Sequence, residues 1–102
     1  MAPATLHILI ALAGEDLHGY AIMQEVVRQS DGHYKLGPGT LYDNLQRLAA
    51  QGLVQETTRR AASDDPRRRY YQLTASGRRA LSEEIARLEK VVRTAKLRVR
   101  RA

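Results

Sequence analysis

The stretch 37–52, GPGTLYDNLQRLAAQG, constrains this chain more than any other, because both of its ends are written into the residues. Gly37 serves as N-cap, and Pro38 takes the first helical position, where its missing N–H is one that a helix leaves unpaired in any case. Gly52 supplies the residue type that accepts the left-handed conformation just past a helix end. Between them Leu41, Leu45 and Leu48 follow the 3.6-residue period, so the spacing predicts a helix of about four turns with one apolar face. At about 100° per residue, the opposite face centres on Gly39, Asp43, Gln46, Arg47 and Ala50, with Thr40 and Tyr42 on its flanks. That face holds no large aliphatic group.

Upstream, Pro3 opens a segment in which Leu6, Ile8, Leu9, Ile10, Ala11 and Leu12 are apolar nearly all round until Gly14, so this first helix is buried on more than one side. In a chain of 102 residues, the second buried side points to another subunit. Tyr20, Met23, Val26 and Val27 then recur at helical spacing over residues 18–29, closed by Ser30-Asp31-Gly32. Beyond Gly52, residues 53–58 and 69–74 are rich in strand formers and flank RRAASDDPRR, whose Asp-Asp-Pro is a turn signal. They read as two antiparallel strands with a basic loop, Tyr71 and Leu73 on one face and Tyr70 and Gln72 on the other. From Ala75 onward no Gly or Pro follows Gly77, and Leu81, Ile85, Leu88, Val92, Ala95 and Val99 alternate spacings of four and three. Such a heptad seam needs a cover, most economically its own copy in a second subunit. Packing on the first helix is the local alternative, and both hold if the N-terminal half docks locally and the C-terminal half crosses over.

Charge narrows the partner. The chain has 17 Lys and Arg against 11 Asp and Glu, a net +6, which favours a polyanion: nucleic acid ahead of an anionic membrane surface. The excess is uneven, −2 over residues 1–36, +2 over 37–74 and +6 over 75–102. The absence of cysteine excludes disulfides and thiolate metal sites and allows a reducing compartment. The leading MAPAT lacks a basic signal-peptide region and the apolar run 6–13 is too short for a bilayer, so a soluble, cytoplasmic protein with no membrane partner is expected. His7, His18 and His33 fall in three separate segments without ligand spacing, and no phosphate-loop or nucleophile motif occurs, so no metal, cofactor or catalysis is expected. His7 reads as a satisfied helix histidine and His18 as the cap of the second helix.

Three helices, a basic hairpin and a long helix make a mainly α chain with a small β-hairpin: a winged helix-turn-helix over residues 1–74 plus a C-terminal dimerisation helix over 75–102, forming one compact unit. In that architecture the third helix enters the DNA major groove and the wing, residues 59–69, lies along the backbone or minor groove. A groove about 12 Å wide admits a helix whose outward side chains are small or hydrogen-bonding, which suits the face that opens at Gly39.

LHGYAI at 17–22, PGTLYDNLQRLAAQGLV at 38–54 and RRYYQLTASGRRAL at 68–81 resemble, in order and spacing, the signature segments of PadR-type transcriptional regulators. The single helix after the wing is similar to the subgroup with a short C-terminus. The resemblance implies a repressor that binds a pseudo-palindromic operator on double-stranded DNA as a homodimer, released in several members by a phenolic or drug-like ligand. On the matching positions, Thr40 becomes a phosphate donor, and Tyr42 suits either a hydroxyl-to-phosphate contact or packing against the wing. Asp43 departs from a phosphate-binding face. It either accepts from a cytosine amino group or, preferably, pairs with Arg47 one turn on. Gln46 and Arg47 face outward, Arg47 toward phosphate or base.

On the wing, Arg59 and Arg60 precede the turn and Arg67, Arg68 and Arg69 follow it, with Arg60 and Arg68 placed on the backbone and Asp64-Asp65 left in solvent. The dimer interface takes Leu6, Leu9, Ile10, Leu81, Ile85, Leu88, Val92, Ala95 and Val99. A small apolar effector pocket would use His7 and Ile10 with Leu88 and Val92 opposite. Without Trp or Phe, and without any aromatic beyond Tyr71, it does not favour a stacked planar drug. The basic residues of the tail complement the last helix's dipole. The rival reading is a dimeric protein-interaction module that keeps the fold without binding DNA, suggested by Asp43, Asp64 and Asp65.

Overall fold

The computed structural model describes residues 1–57 and 68–101. Its elements are α1 (Pro3–Gly14), β1 (Leu17–His18), α2 (Gly19–Gln29), α3 (Pro38–Ala50), β2 (Val54–Thr57), β3 (Tyr70–Leu73) and α4 (Ala75–Arg100). The architecture is a winged helix-turn-helix followed by a long helix. α1 is the hub, touching α2, α3, β3 and α4. Its all-round apolar character follows from that central place, since Ala4, Ile8, Leu9, Ala11 and Leu12 are all buried within the chain.

Two residues of the expected dimer interface lie in the chain's own core. Leu9 is 0% exposed and Leu81 6% exposed, both inside the chain's own core with Ile22, Leu41, Leu45 and Leu73. The second buried side of α1 is therefore met by α4 and β3 of the same chain.

The helix ends follow their capping chemistry. His18 caps α2 as expected, its Nδ1 accepting from the Ala21 N–H at 3.2 Å. At the other end Gly32 N–H donates to the Val27 carbonyl at 2.8 Å and Asp31 N–H to Arg28 at 3.2 Å. Asp31 holds a φ of 51° to make this closure. α3 starts at Pro38 with Gly37 as N-cap and ends through Gly52 at φ 75°. The Leu53 N–H reaches the Leu48 carbonyl at 2.9 Å and the Gly52 N–H the Ala49 carbonyl at 3.0 Å, satisfying two orphan acceptors.

The sheet has three strands in the order β1-β3-β2, all antiparallel, where the sequence predicted two. Leu17 and His18 sit opposite Tyr71 and Tyr70, while Val54 to Thr57 run opposite Leu73 to Tyr70. β1 takes the edge of β3 that β2 leaves open. α4 is pinned at its first turn. Thr74 Oγ1 accepts from the Gly77 N–H at 3.0 Å and donates to the Gly52 carbonyl at 2.7 Å. Gly77 lies so close to the Leu53 carbonyl oxygen that a Cβ there would collide with it.

Beyond Leu81 the α4 seam is uncovered within the chain. Leu88 is half-buried and Ala95 exposed, while Ile85 is 44%, Val92 49% and Val99 75% exposed. Near the point where α4 leaves the core, Glu84 accepts from Arg87 Nε at 3.0 Å and Nη2 at 2.8 Å and lies 3.2 Å from the Met1 amino group. The Arg87 hydrogen bonds, chiefly, hold the Glu84 carboxyl down at about 2, burial opposing and the amino group assisting.

Candidate nucleic-acid interface

α3 buries Leu41, Asn44, Leu45 and Leu48 and leaves its other side to solvent. Gly39, Thr40, Tyr42, Asp43, Gln46 and Arg47 are all exposed, so the polar face read from the sequence is not covered by the chain itself. The α3 N-terminus also leaves its first N–H groups and positive dipole end at the surface, a favourable place for an anion.

Asn44 interrupts the apolar period of the buried α3 face. It sits on the leucine face, 8% exposed. There it accepts from the Thr5 hydroxyl at 2.9 Å and donates from Nδ2 to the Thr40 carbonyl at 2.8 Å. A polar residue one turn from three leucines is itself a signal, because a buried amide needs partners. The bonds tie α1 to the first turn of α3 and so fix how that helix is presented.

Two details of the polar face differ from expectation. Asp43 and Arg47 do not form the i,i+4 ion pair; both side chains extend into solvent, and neither has an ion-pair partner among the described residues. Such a pair contributes only about 0.3–0.5 kcal/mol, too little to hold two mobile side chains together. Tyr42 packs on the start of α2, its ring and hydroxyl lying where a Cβ on Gly19 would be. It remains 49% exposed.

Tyr42 thereby walls a cleft of about 440 Å³ between α2, α3 and the base of the wing, lined also by His18, Gly19, Tyr20, Arg68, Arg69 and Tyr71. Arg69 Nη1 is 3.6 Å from Glu56 Oε1, both side chains largely in solvent. Burial, foremost, pushes the Tyr71 phenol above its ordinary value, with Glu56 and Tyr42 adding to it and Arg69 opposing. Of the wing arginines, Arg68 and Arg69 are exposed. Arg59, Arg60 and Arg67, like Asp64 and Asp65, lie outside the described residues.

The expected effector pocket is not assembled by one chain. The His7 ring stacks on Tyr34 with centroids 4.7 Å apart at 12°, and the Gln29 amide donates to the His7 carbonyl at 2.9 Å and lies 3.2 Å from its Nδ1. Leu88 and Val92 instead line an open groove of about 440 Å³ with Ile85, Glu89, Arg93 and Lys96, without His7 or Ile10. Leu6 is half-buried against the core and Ile10 37% exposed.

The description "Transcriptional regulator PadR-like family" matches residues 8–83, from the middle of α1 into α4. The chain belongs to the PadR-like family of transcriptional regulators. This PadR-like chain is 40% identical over 92 residues to a transcriptional regulator of Mycobacterium tuberculosis, an alignment covering 90% of this chain and 81% of that protein. A crystal structure of a PadR family transcription regulator from Clostridium difficile matches with a TM-score of 0.80 at 25% identity, covering 94% of this chain and 97% of the other. The PadR of Bacillus subtilis, crystallised in complex with operator DNA, shares the fold at a TM-score of 0.70 and 22% identity. That match covers 83% of this PadR-like chain and 48% of the Bacillus protein.

Proposed function

We propose that this PadR-like regulator binds duplex DNA as a homodimer and represses transcription from a pseudo-palindromic operator. α3 enters the major groove and the wing, residues 59–69, lies on the backbone or in the minor groove. The observation that carries this reading is the uncovered polar side of α3, slim enough for the groove and backed by a fully buried leucine face. Gly39 and Thr40 approach phosphates, Gln46 and Arg47 reach base edges, and Asp43, which leaves Arg47 unpaired, is placed to accept from a cytosine amino group. The uncovered seam from Ile85 to Val99 supports residues 75–102 as the helix that holds two copies together. In the cytoplasm such a dimer meets its operator directly, and a small effector would enter the α4 groove beside Leu88 and Val92 once a second copy closes over it.

A salt titration of duplex binding tests this. Each neutralised phosphate contributes a slope of about −0.9 to log affinity against log salt, so several contacts give a steep line. Gln46→Ala and Arg47→Ala should flatten discrimination between operator and unrelated DNA, by about 1–3 kcal/mol for each lost base contact. Binding that does not respond to salt, or no binding even at low salt, would replace this reading with the dimeric protein-interaction module.

A further inference from the structure

We propose that the side of α4 turned away from the core is a second duplex-binding surface, which takes the phosphate backbone of a further DNA segment without regard to its sequence. This goes beyond the reading above, which places the operator on α3. The first observation is charge. Residues 90–102 hold six cations, Lys90, Arg93, Lys96, Arg98, Arg100 and Arg101, and no Asp or Glu. All six are exposed, and neither they nor Glu89, the carboxylate just before them, have an ion-pair partner among the described residues.

The helix dipole does not account for them. Its effect falls off within the last turn, so it reaches Arg98 and Arg100. Lys90 and Arg93 stand about 15 Å and about 10 Å before the end of α4 at Arg100, too far to gain from it. Nor does the apolar seam account for them. At about 100° per residue, Lys90, Leu97 and Arg101 lie opposite Leu81, with Arg93 and Arg100 on one flank. Leu81 is buried in the core, so this side faces solvent, and it stays there when a second copy covers the seam from Ile85 to Val99.

Charge complementarity selects the occupant. From Lys90 to Arg101 the helix runs about 16 Å, a length over which duplex DNA presents about nine phosphate charges. Successive cations stand within a Debye length of about 8 Å and reinforce one another's field. An anionic membrane is the poorer match, because a helix lying in a bilayer interface needs an apolar face beneath its cations. On this side of α4 a single large apolar side chain, Leu97 at 54% exposed, stands among them.

The duplex bound here is not the one on α3. α3 and α4 both pack on α1, with no comparable packing between them. The polar face of α3 lies opposite Asn44, which bonds Thr5 of α1, and the basic face of α4 lies opposite Leu81, which packs in the same core as α1. The two faces turn away from α1 on separate sides, so a straight duplex seated on one does not lie along the other.

The experiment compares the full chain with the quadruple variant Lys90→Gln/Arg93→Gln/Arg100→Gln/Arg101→Gln. These side chains are exposed and unpaired and Gln is a good helix former, so the fold is kept; circular dichroism and sedimentation verify this. A genomic fragment selected by the full chain is fixed to a surface, the chain is loaded on it, and a short fluorescent duplex of unrelated sequence is added. Wild type should recruit that duplex, with recruitment falling about 100-fold between roughly 50 and 200 mM salt for four neutralised phosphates. The variant should recruit it at least about 10-fold more weakly while binding the fixed fragment within about twofold of wild type.

A variant that recruits like wild type, or a wild-type chain that holds only one duplex even at low salt, would overturn the second surface and leave operator binding intact. Phosphatidylserine vesicles that take up wild type and not the variant, with no duplex recruited, would also overturn it, because the face would then serve a membrane. A wild-type chain that selects no fragment yet binds the unrelated duplex, with that binding lost in the variant, would remove the α3 reading and leave the α4 surface standing.

Discussion

Removing the Asn44 amide measures how firmly α3 is tied to the core. Asn44→Ala deletes the bond from the Thr5 hydroxyl (2.9 Å) and the bond to the Thr40 carbonyl (2.8 Å). Each is worth about 1 kcal/mol net, and the stranded Thr5 hydroxyl adds about 1 kcal/mol, the low end of the range because Thr5 is only half-buried. Alanine's better helix propensity returns about 0.5 kcal/mol. The expected loss is therefore about 2–2.5 kcal/mol, which for a domain of this size lowers Tm by roughly 8–20 °C. Thr5→Val, which keeps the shape and removes the donor, should cost about 1 kcal/mol. In the double variant the losses should fall short of their sum by about 1 kcal/mol, the coupling between two groups in contact. Thermal and urea unfolding followed by circular dichroism at fixed chain concentration gives all four corners of the cycle. Strictly additive losses, or an Asn44→Ala chain as stable as wild type, would refute the tether.

Other outcomes follow from single contacts. Gly77→Ala forces a methyl group onto the Leu53 carbonyl oxygen, a backbone atom that cannot step aside. It should destabilise the chain by about 1–3 kcal/mol despite alanine's helix preference, seen as a lower Tm. Glu84 is held at about 2 against its ordinary 4.5, so the folded chain takes up this proton less readily than the unfolded one. Its contribution to stability is complete above about pH 4.5 and disappears as the pH falls toward 2. Denaturation measured between pH 6 and pH 2.5 should show that loss in wild type and a flatter profile in Glu84→Gln. Leu88→Glu places a charge in the middle of the uncovered seam and should yield monomers by sedimentation, whereas a variant that still sediments as a dimer would exclude the α4 seam as the interface.

What the sequence disclosed depended on whether the governing interaction was local. α3 was legible because Pro38, Gly52 and three leucines act within one helix, and the structure places both ends there. The α2 cap at His18 was legible for the same reason. β1 was not: two residues offer no period, and their pairing with Tyr70 and Tyr71 is made across more than 50 positions. The apolar pattern marked Leu9 and Leu81 as needing cover without saying which surface supplies it. They cover each other's core, while Ile85 to Val99, on the same seam, stay open. The cleft was invisible for a further reason. It gathers His18 of β1, Tyr42 of α3 and Arg69 just before β3, and no spacing along the chain encodes their meeting.

In the proposed complex two copies of α3 read successive major-groove faces of one duplex. Dimethyl sulfate interference reports guanine N7 contacts in that groove, and DNA fragments selected from the host genome by the full chain provide the target. Two patches of interference are expected, about one helical turn apart and on one side of the duplex, both lost in Gln46→Ala/Arg47→Ala. A bound duplex whose guanines are methylated without consequence, or a single patch with no symmetry mate, would contradict it.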